Sequence, residues 1–286
     1  MRSRIPSLKN PGRLRSVKFR STESVCLRIE CLVVCFSIDK KKADYQREFC
    51  MMEISERESR MLAEVFTKVQ ARFADFTDLA HGWEHVYRVY HLSLRIAEQE
   101  HADSFIVGMS ALLHDVGRTT QDPRKSHAGR SAILAAELLA RYDLSDETQQ
   151  AIQHAILAHN YRRGITPETL EARVLYDADR LDSMGASGLM RWAMTIKNKK
   201  WSEWKSYHPD DPFALHRTPD DQHYLLDRFF TKLLALSEAM MTETGQALAQ
   251  NRLTFFGLFL QELQMELVDG GYSGAELGDK IFHIVH

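Results

Sequence analysis

SFIVGMSALLHDVGR, residues 104–118, decides how the rest of the chain is read. Ile106, Val107, Met109, Leu112 and Leu113 recur at helical spacing, and the run ends on His114 and Asp115. Neighbouring helical residues point about 100° apart. In a last turn, however, a long imidazole and a short carboxylate can converge on one ion beyond the helix end. Asp103 is a candidate N-cap for this helix and Gly117 a candidate stop.

Outward from that segment the helical period continues from Glu53 to about residue 268, with no alternating strand pattern. Helices are expected near 54–76, 84–101, 103–116, 127–142, 146–158, 221–241 and 243–268. Another is expected to start at Thr166, with Pro167 as its first residue and Thr166 as its cap. Ser145 is a further N-cap candidate. Between Asn198 and Asp221 the period fails in a Trp-, Lys-, Asp- and Pro-rich stretch, the length of a functional loop. The expected fold class is all-α: a domain over 53–268 with its core at about 80–190, a C-terminal helical part at about 198–268, and a tail at 269–286.

Two other polar residues sit in helical contexts that match the His-Asp pair. His85 precedes an apolar face of Val89, Leu92 and Ile96, and Asp179 lies one position from the stripe Leu175, Ala178, Leu181. A carboxylate near a core-facing stripe is costly unless a cation or hydrogen bonds compensate it. A lone His-Asp dipeptide carries almost no information; the signal is the ensemble His85, His114, Asp115 and Asp179. Two imidazoles and two carboxylates suit an open octahedral site for Mn, Mg, Co, Ni or Fe better than a closed structural zinc. One ion per chain is the expectation.

Composition narrows the classes. A net charge of -2 gives no global electrostatic case for nucleic acid, and no reading motif supports one. No apolar stretch is long enough to cross a bilayer. All four cysteines (Cys26, Cys31, Cys35, Cys50) fall in the first fifty residues, which suits a main domain built for a reducing cytoplasm. Residues 1–52 read as a separate extension. Up to Thr22 there are seven Arg or Lys and no acid, followed by a short apolar run broken by Arg28 and Glu30. Met51 and Met52 stand just before the first helical pattern, so a start there and a genuine tail are both open.

The pattern His…His-Asp…Asp on helices resembles the HD superfamily of metal-dependent phosphohydrolases. The segments LLHDVGR (112–118), AIQHAILAHNYRRG (151–164), DADRLDSMGASGLMR (177–191) and TETGQALAQNRLTFFGLFLQEL (242–263) are similar to its bacterial YedJ/YpgQ-type branch. The likeness covers roughly residues 55–268. It implies an HD-domain helical bundle with a C-terminal helical extension, a cytoplasmic location, and divalent-metal phosphohydrolysis, with nucleotide pyrophosphohydrolysis a known activity of the branch. By position it implies His85, His114, Asp115 and Asp179 as the metal ligands. The chain departs from the branch at Asp227-Arg228, where Asp-His is expected, and at Arg130-Ser131, where Ser-Ser is expected.

Basic residues cluster around the proposed centre: Arg118, Arg124, Lys125, Arg130, Arg162, Arg163 and Arg180. Guanidinium groups grip phosphate bidentately, and Arg118 and Lys125 are the first candidates for that role. The expected mechanism is in-line attack by a metal-activated water on phosphorus, oriented or deprotonated by Asp115 or by Asp182. His159 is a candidate contact to substrate phosphate or leaving group, while His127 and His154 read as ordinary polar positions. The alternatives are a dinuclear HD site recruiting later histidines, with oxygenase or phosphodiesterase chemistry, and a non-catalytic nucleotide-binding module.

Overall fold

The computed structural model describes residues 54–122, 124–160, 164–194 and 204–277. The chain divides between Cys50 and Met51, and every described residue lies in the C-terminal unit. The basic extension, Arg162, Arg163, and the last part of the tail fall outside the described residues.

Helix α1 (Glu56–Arg72) opens with a capping box: the Ser55 side chain accepts from the backbone of Glu58, and Glu58 accepts from the backbone of Ser55. Next come α2 (Trp83–Glu100), α3 (Ser104–Leu113), a 3₁₀ turn at Val116–Thr119, α4 (His127–Leu139) and α5 (Asp146–Ala158). They are followed by α6 (Leu170–Leu181), α7 (Gly185–Met194), a π-helical turn at Phe229–Leu233 running into the short α8 (Leu234–Glu238), and α9 (Glu243–Asp269). Among the described residues there is no sheet, only an isolated parallel bridge between Lys205 and Tyr224. The fold class is all-α.

Helix α3 is the axis of the bundle. All its residues but Ile106 are buried, as its apolar composition demands. It packs against α1, α2, α5 and α6. Val65, Val86, Met109, Leu112, Ile152 and Ile156 pack on one side of it, and Val89, Ile96, Val107, Leu175, Phe256 and Leu260 on the other. Asp103 starts the helix by accepting from the N–H groups of Phe105 and Ile106. Burial on every side fixes its axial position, and so fixes where His114 emerges.

Gly117 does not stop this helix as expected. Helix α3 ends at Leu113 with His114 as its C-cap, and Gly117 lies inside the following 3₁₀ turn. A Cβ there would sit 2.4 Å from both the His127 carbonyl and the Ser131 nitrogen, so only glycine lets α4 pass against the turn. Ser131 accepts the Gly117 N–H at 2.9 Å, which holds that approach.

Two further expectations change. Helix α6 begins at Leu170 with Thr169 as its cap, not at Pro167 with Thr166. The Glu168 N–H is taken by His154, and Arg173 takes the Pro167 and Glu168 carbonyls, so the chain stays out of the helix until Thr169. The helix expected over 221–241 is reduced to the π turn and α8. Before it, buried Asp227 accepts from the Arg217 guanidinium and from the Asp220 N–H, a polar knot that holds the segment in turns.

Helix α9 is tied to α6 by Asp177, whose carboxylate accepts from the N–H groups of Met241 and Thr242 and from the Thr242 hydroxyl. A Cβ at Gly245 would fall 2.3 Å from that carboxylate, so this close crossing also requires glycine.

Candidate metal centre

Three elements bring the site residues together. His85 comes from the first turn of α2, His114 and Asp115 from the end of α3, and Asp179 from α6. The Nε2 atom of His85 lies 3.3 Å from Nε2 of His114, 3.3 Å from an Asp179 oxygen and 3.6 Å from Oδ2 of Asp115. His114 Nε2 lies 3.8 Å from the same Asp115 oxygen. Donors bound to one ion at about 2.1 Å stand roughly 3.0–3.4 Å apart in octahedral or tetrahedral arrangements. The four side chains therefore already have close to the spacing of a metal shell.

The hydrogen bonds on the far sides of the rings point the same way. His85 donates from Nδ1 to Asp182 at 2.8 Å, His114 to the Ala111 carbonyl at 2.7 Å, and His159 to the Ile156 carbonyl at 2.6 Å. Each anchor places the proton on Nδ1 and leaves Nε2 with a lone pair aimed at the centre. Burial pushes the His114 imidazole down to about 4, so it is neutral and able to bind metal near neutral pH. Burial works against ionisation of Asp115, yet the Arg118 guanidinium beside it holds the carboxyl far below the usual range.

Asp115 sits between two groups. Its Oδ2 faces His85 and His114 and accepts from Nε of Arg118 at 2.6 Å. Its Oδ1 is buried with no hydrogen-bond partner and faces Nε2 of His127 at 3.7 Å and of His159 at 3.8 Å. A buried carboxylate oxygen surrounded by lone pairs is unfavourable in itself and calls for a cation. On this observation the residues fit a divalent ion. His85, His114 and Asp179 form one group able to hold it, and Asp115, His127 and His159 another.

The remaining candidates divide. Arg118 is at the centre, between Asp115 and His127. Lys125 is exposed and its side chain pairs with nothing among the described residues. Arg130 spends its guanidinium on the carbonyls of Gly117, Asp122 and Lys125, and Arg180 bonds the Tyr176 and His159 carbonyls. Arg124 pairs with Asp122 in solvent. His154 is occupied by the Glu168 N–H, away from the centre. His127, expected to be an ordinary polar position, instead faces Asp115, because the Gly117 crossing brings the start of α4 against the 3₁₀ turn.

Asp182 also differs from expectation. It lies behind His85, with its oxygens taken by His85 Nδ1, Arg88 and Arg191, so its contact toward the centre is the one to His85. Arg88 carried no signal in the sequence, and Arg191, the last residue of the 177–191 segment, was not singled out, since both act across helices.

A family model for the HD domain matches residues 82–184. YpgQ of Bacillus subtilis (strain 168) is 30% identical over 216 residues, spanning 74% of this chain and 96% of its own. The crystal structure of B. subtilis YpgQ superposes with a TM-score of 0.58 at 28% identity, covering 77% of this chain and 99% of that one. That of YpgQ in complex with ADP gives 0.56 at 28% identity, covering 73% and 96%. The chain belongs to the HD-domain superfamily of metal-dependent phosphohydrolases and, within it, to the branch that contains YpgQ.

Proposed function

We propose that the protein hydrolyses a nucleoside triphosphate to the monophosphate and pyrophosphate, with one divalent ion, manganese first among the candidates, held by His85, His114, Asp115 and Asp179. The observation that carries the metal site is the convergence of unprotonated imidazole nitrogens on Asp115, whose Oδ1 has no partner of its own. The nucleotide class is supported by the ADP complex of YpgQ.

A divalent ion bound here would polarise a phosphoryl oxygen and lower the pKa of a coordinated water. The protein's own contribution is positioning and charge. Asp115 Oδ1 can orient a water in the centre by accepting a hydrogen bond from it, and Arg118 keeps that carboxylate ionised at neutral pH. The Arg118 guanidinium, a quarter exposed and beside Asp115, is placed to meet phosphate oxygens. His159, with Nδ1 committed to Ile156, has Nε2 free to take a proton and return it to the leaving pyrophosphate. Water oxygen bonds to the α-phosphorus, the bridging oxygen departs with the pyrophosphate, and the water proton passes to the protein. Asp182 orients His85. Lys125 has no role in this scheme.

A second reading has its own observation. Asp115, His127 and His159 could hold a second ion, with Asp115 also facing His85 and His114 of the first group through Oδ2. Metal content per chain separates the readings. A panel of nucleotides with Mn²⁺, with phosphate and pyrophosphate followed separately, tests the activity. Pyrophosphate release lost in Asp115→Ala supports the proposal. Release of phosphate alone, or no turnover with two ions per chain, overturns it.

A further inference from the structure

Behind the centre, Asp182 is bound by three side chains through four contacts. Arg88, one turn after His85 on α2, grips both oxygens, with Nε at 2.6 Å from Oδ1 and Nη2 at 3.0 Å from Oδ2. Arg191, on α7, reaches Oδ2 at 2.9 Å, the oxygen that also accepts from His85 Nδ1 at 2.8 Å. Arg191 is itself buried. It donates from Nε to the Ala80 carbonyl at 2.8 Å, in the loop that enters α2, and from Nη1 to the Ser183 hydroxyl at 3.2 Å. One guanidinium therefore connects the entry to the His85 helix, the exit of the Asp179 helix, and α7.

Two arginines on one buried carboxylate are more than charge balance requires. A single bidentate arginine would neutralise Asp182, and a second buried guanidinium is costly to desolvate. What the pair supplies is geometry. An aspartate held by His85 alone could rotate about its side-chain bond and offer either oxygen, or none, to the imidazole. Held by the fork of Arg88 on one side and by Arg191 on the other, it has one orientation, with Oδ2 fixed on Nδ1 of His85.

Resting on the metal-dependent activity proposed above, we propose that Arg88 and Arg191 are positioning residues of the centre: they lock Asp182 against His85 so that His85 carries its proton on Nδ1 and presents Nε2 to the ion. The partners of ligating histidines commonly change metal affinity by about 10–100-fold when removed, and here the effect would be transmitted one residue further, through an arginine.

The test uses the full chain with Arg88→Met, Arg191→Met and the conservative Arg88→Lys. Folding is checked by circular dichroism and thermal melting. Arg88 is more than a third exposed, so its replacement is the variant expected to fold if the buried Arg191→Met does not. Nitrogen-15 NMR of the metal-free protein reads the His85 tautomer, assigned by the signals lost in His85→Gln. Calorimetric titration with Mn²⁺ reads affinity. The expected result is a single Nδ1–H tautomer in the wild type and a mixture in Arg88→Met. Mn²⁺ binding should weaken about 10-fold or more in Arg88→Met, with partial recovery in Arg88→Lys. A folded Arg88→Met with wild-type affinity and an unchanged single tautomer would overturn the inference. If the wild type binds no Mn²⁺, the functional reading fails, while the tautomer of the metal-free protein still decides the clamp.

Discussion

His85, His114 and His159 commit Nδ1 to three different acceptors, a carboxylate and two backbone carbonyls of the preceding helical turn, and this leaves each Nε2 turned toward the centre. At this scale Asp115 has the most to lose. Asp115→Asn removes the charge that faces both groups, and Mn²⁺ affinity is expected to fall by more than about 100-fold, beyond the range of outer-shell changes. Calorimetric titration checks it; wild-type affinity would remove Asp115 from the ligand set. The pH behaviour of the metal-free protein follows from the same burial. His114 is pushed from an ordinary value of 6.5 down to about 4, and His127 to about 3, by burial in each case. The unfolded chain therefore binds more protons than the folded one below pH 6.5, and stability falls as the pH drops through that window. Urea denaturation at pH 7 and pH 5 in the presence of a chelator should show a lower midpoint at pH 5, and a flat profile would mean these rings are not buried as neutral groups. That His85, His114, Asp115 and Asp179 converge was legible from sequence as an ensemble, a His, a His-Asp pair and an Asp on successive helices beside apolar stripes. Asp182 was visible, but its place behind His85 was not, since nothing local shows that Arg88 and Arg191 surround it.

Helices supply the precision that the residues need. The α3 axis is held by burial, and Leu112, fully buried two residues before His114, is part of that hold. Leu112→Ala is expected to cost about 2–5 kcal/mol, measured by chemical denaturation. Gly117→Ala tests a different dependence. Its methyl group would meet two backbone atoms at 2.4 Å, which cannot move without displacing α4 and with it His127. A loss of stability of about 1–3 kcal/mol is expected, and an unperturbed melt would contradict the close crossing. Most helices could be read from period and caps, with Asp103 and Ser145 capping where the sequence suggests. The misreadings share one cause. At Thr166 and across 221–228, side chains distant in sequence or hidden in turns (His154 and Arg173 in one case, Arg217 and Asp227 in the other) claim backbone groups or fix turns that a local pattern assigns to a helix.

Over the whole molecule, the centre joins helices from both halves of the core, α2 and α3 with α6, so an ion bound there would act as a cross-link between segments nearly a hundred residues apart. Binding to the folded state alone stabilises by mass action, about 2.7 kcal/mol at a hundredfold excess over Kd. The melting temperature should rise with Mn²⁺ concentration and fall on chelation, and the rise should vanish in Asp179→Ala. A shift of equal size in that variant would place the ion elsewhere. The all-α class follows from helical period over a long stretch, whereas the second group at Asp115 follows only from the packing of α4. The most direct test of the central claim is anomalous scattering at the manganese edge from crystals grown with Mn²⁺. A peak within bonding distance of His85 Nε2, His114 Nε2, Asp115 and Asp179 is predicted; a fully loaded crystal with its ion away from these four side chains would contradict it.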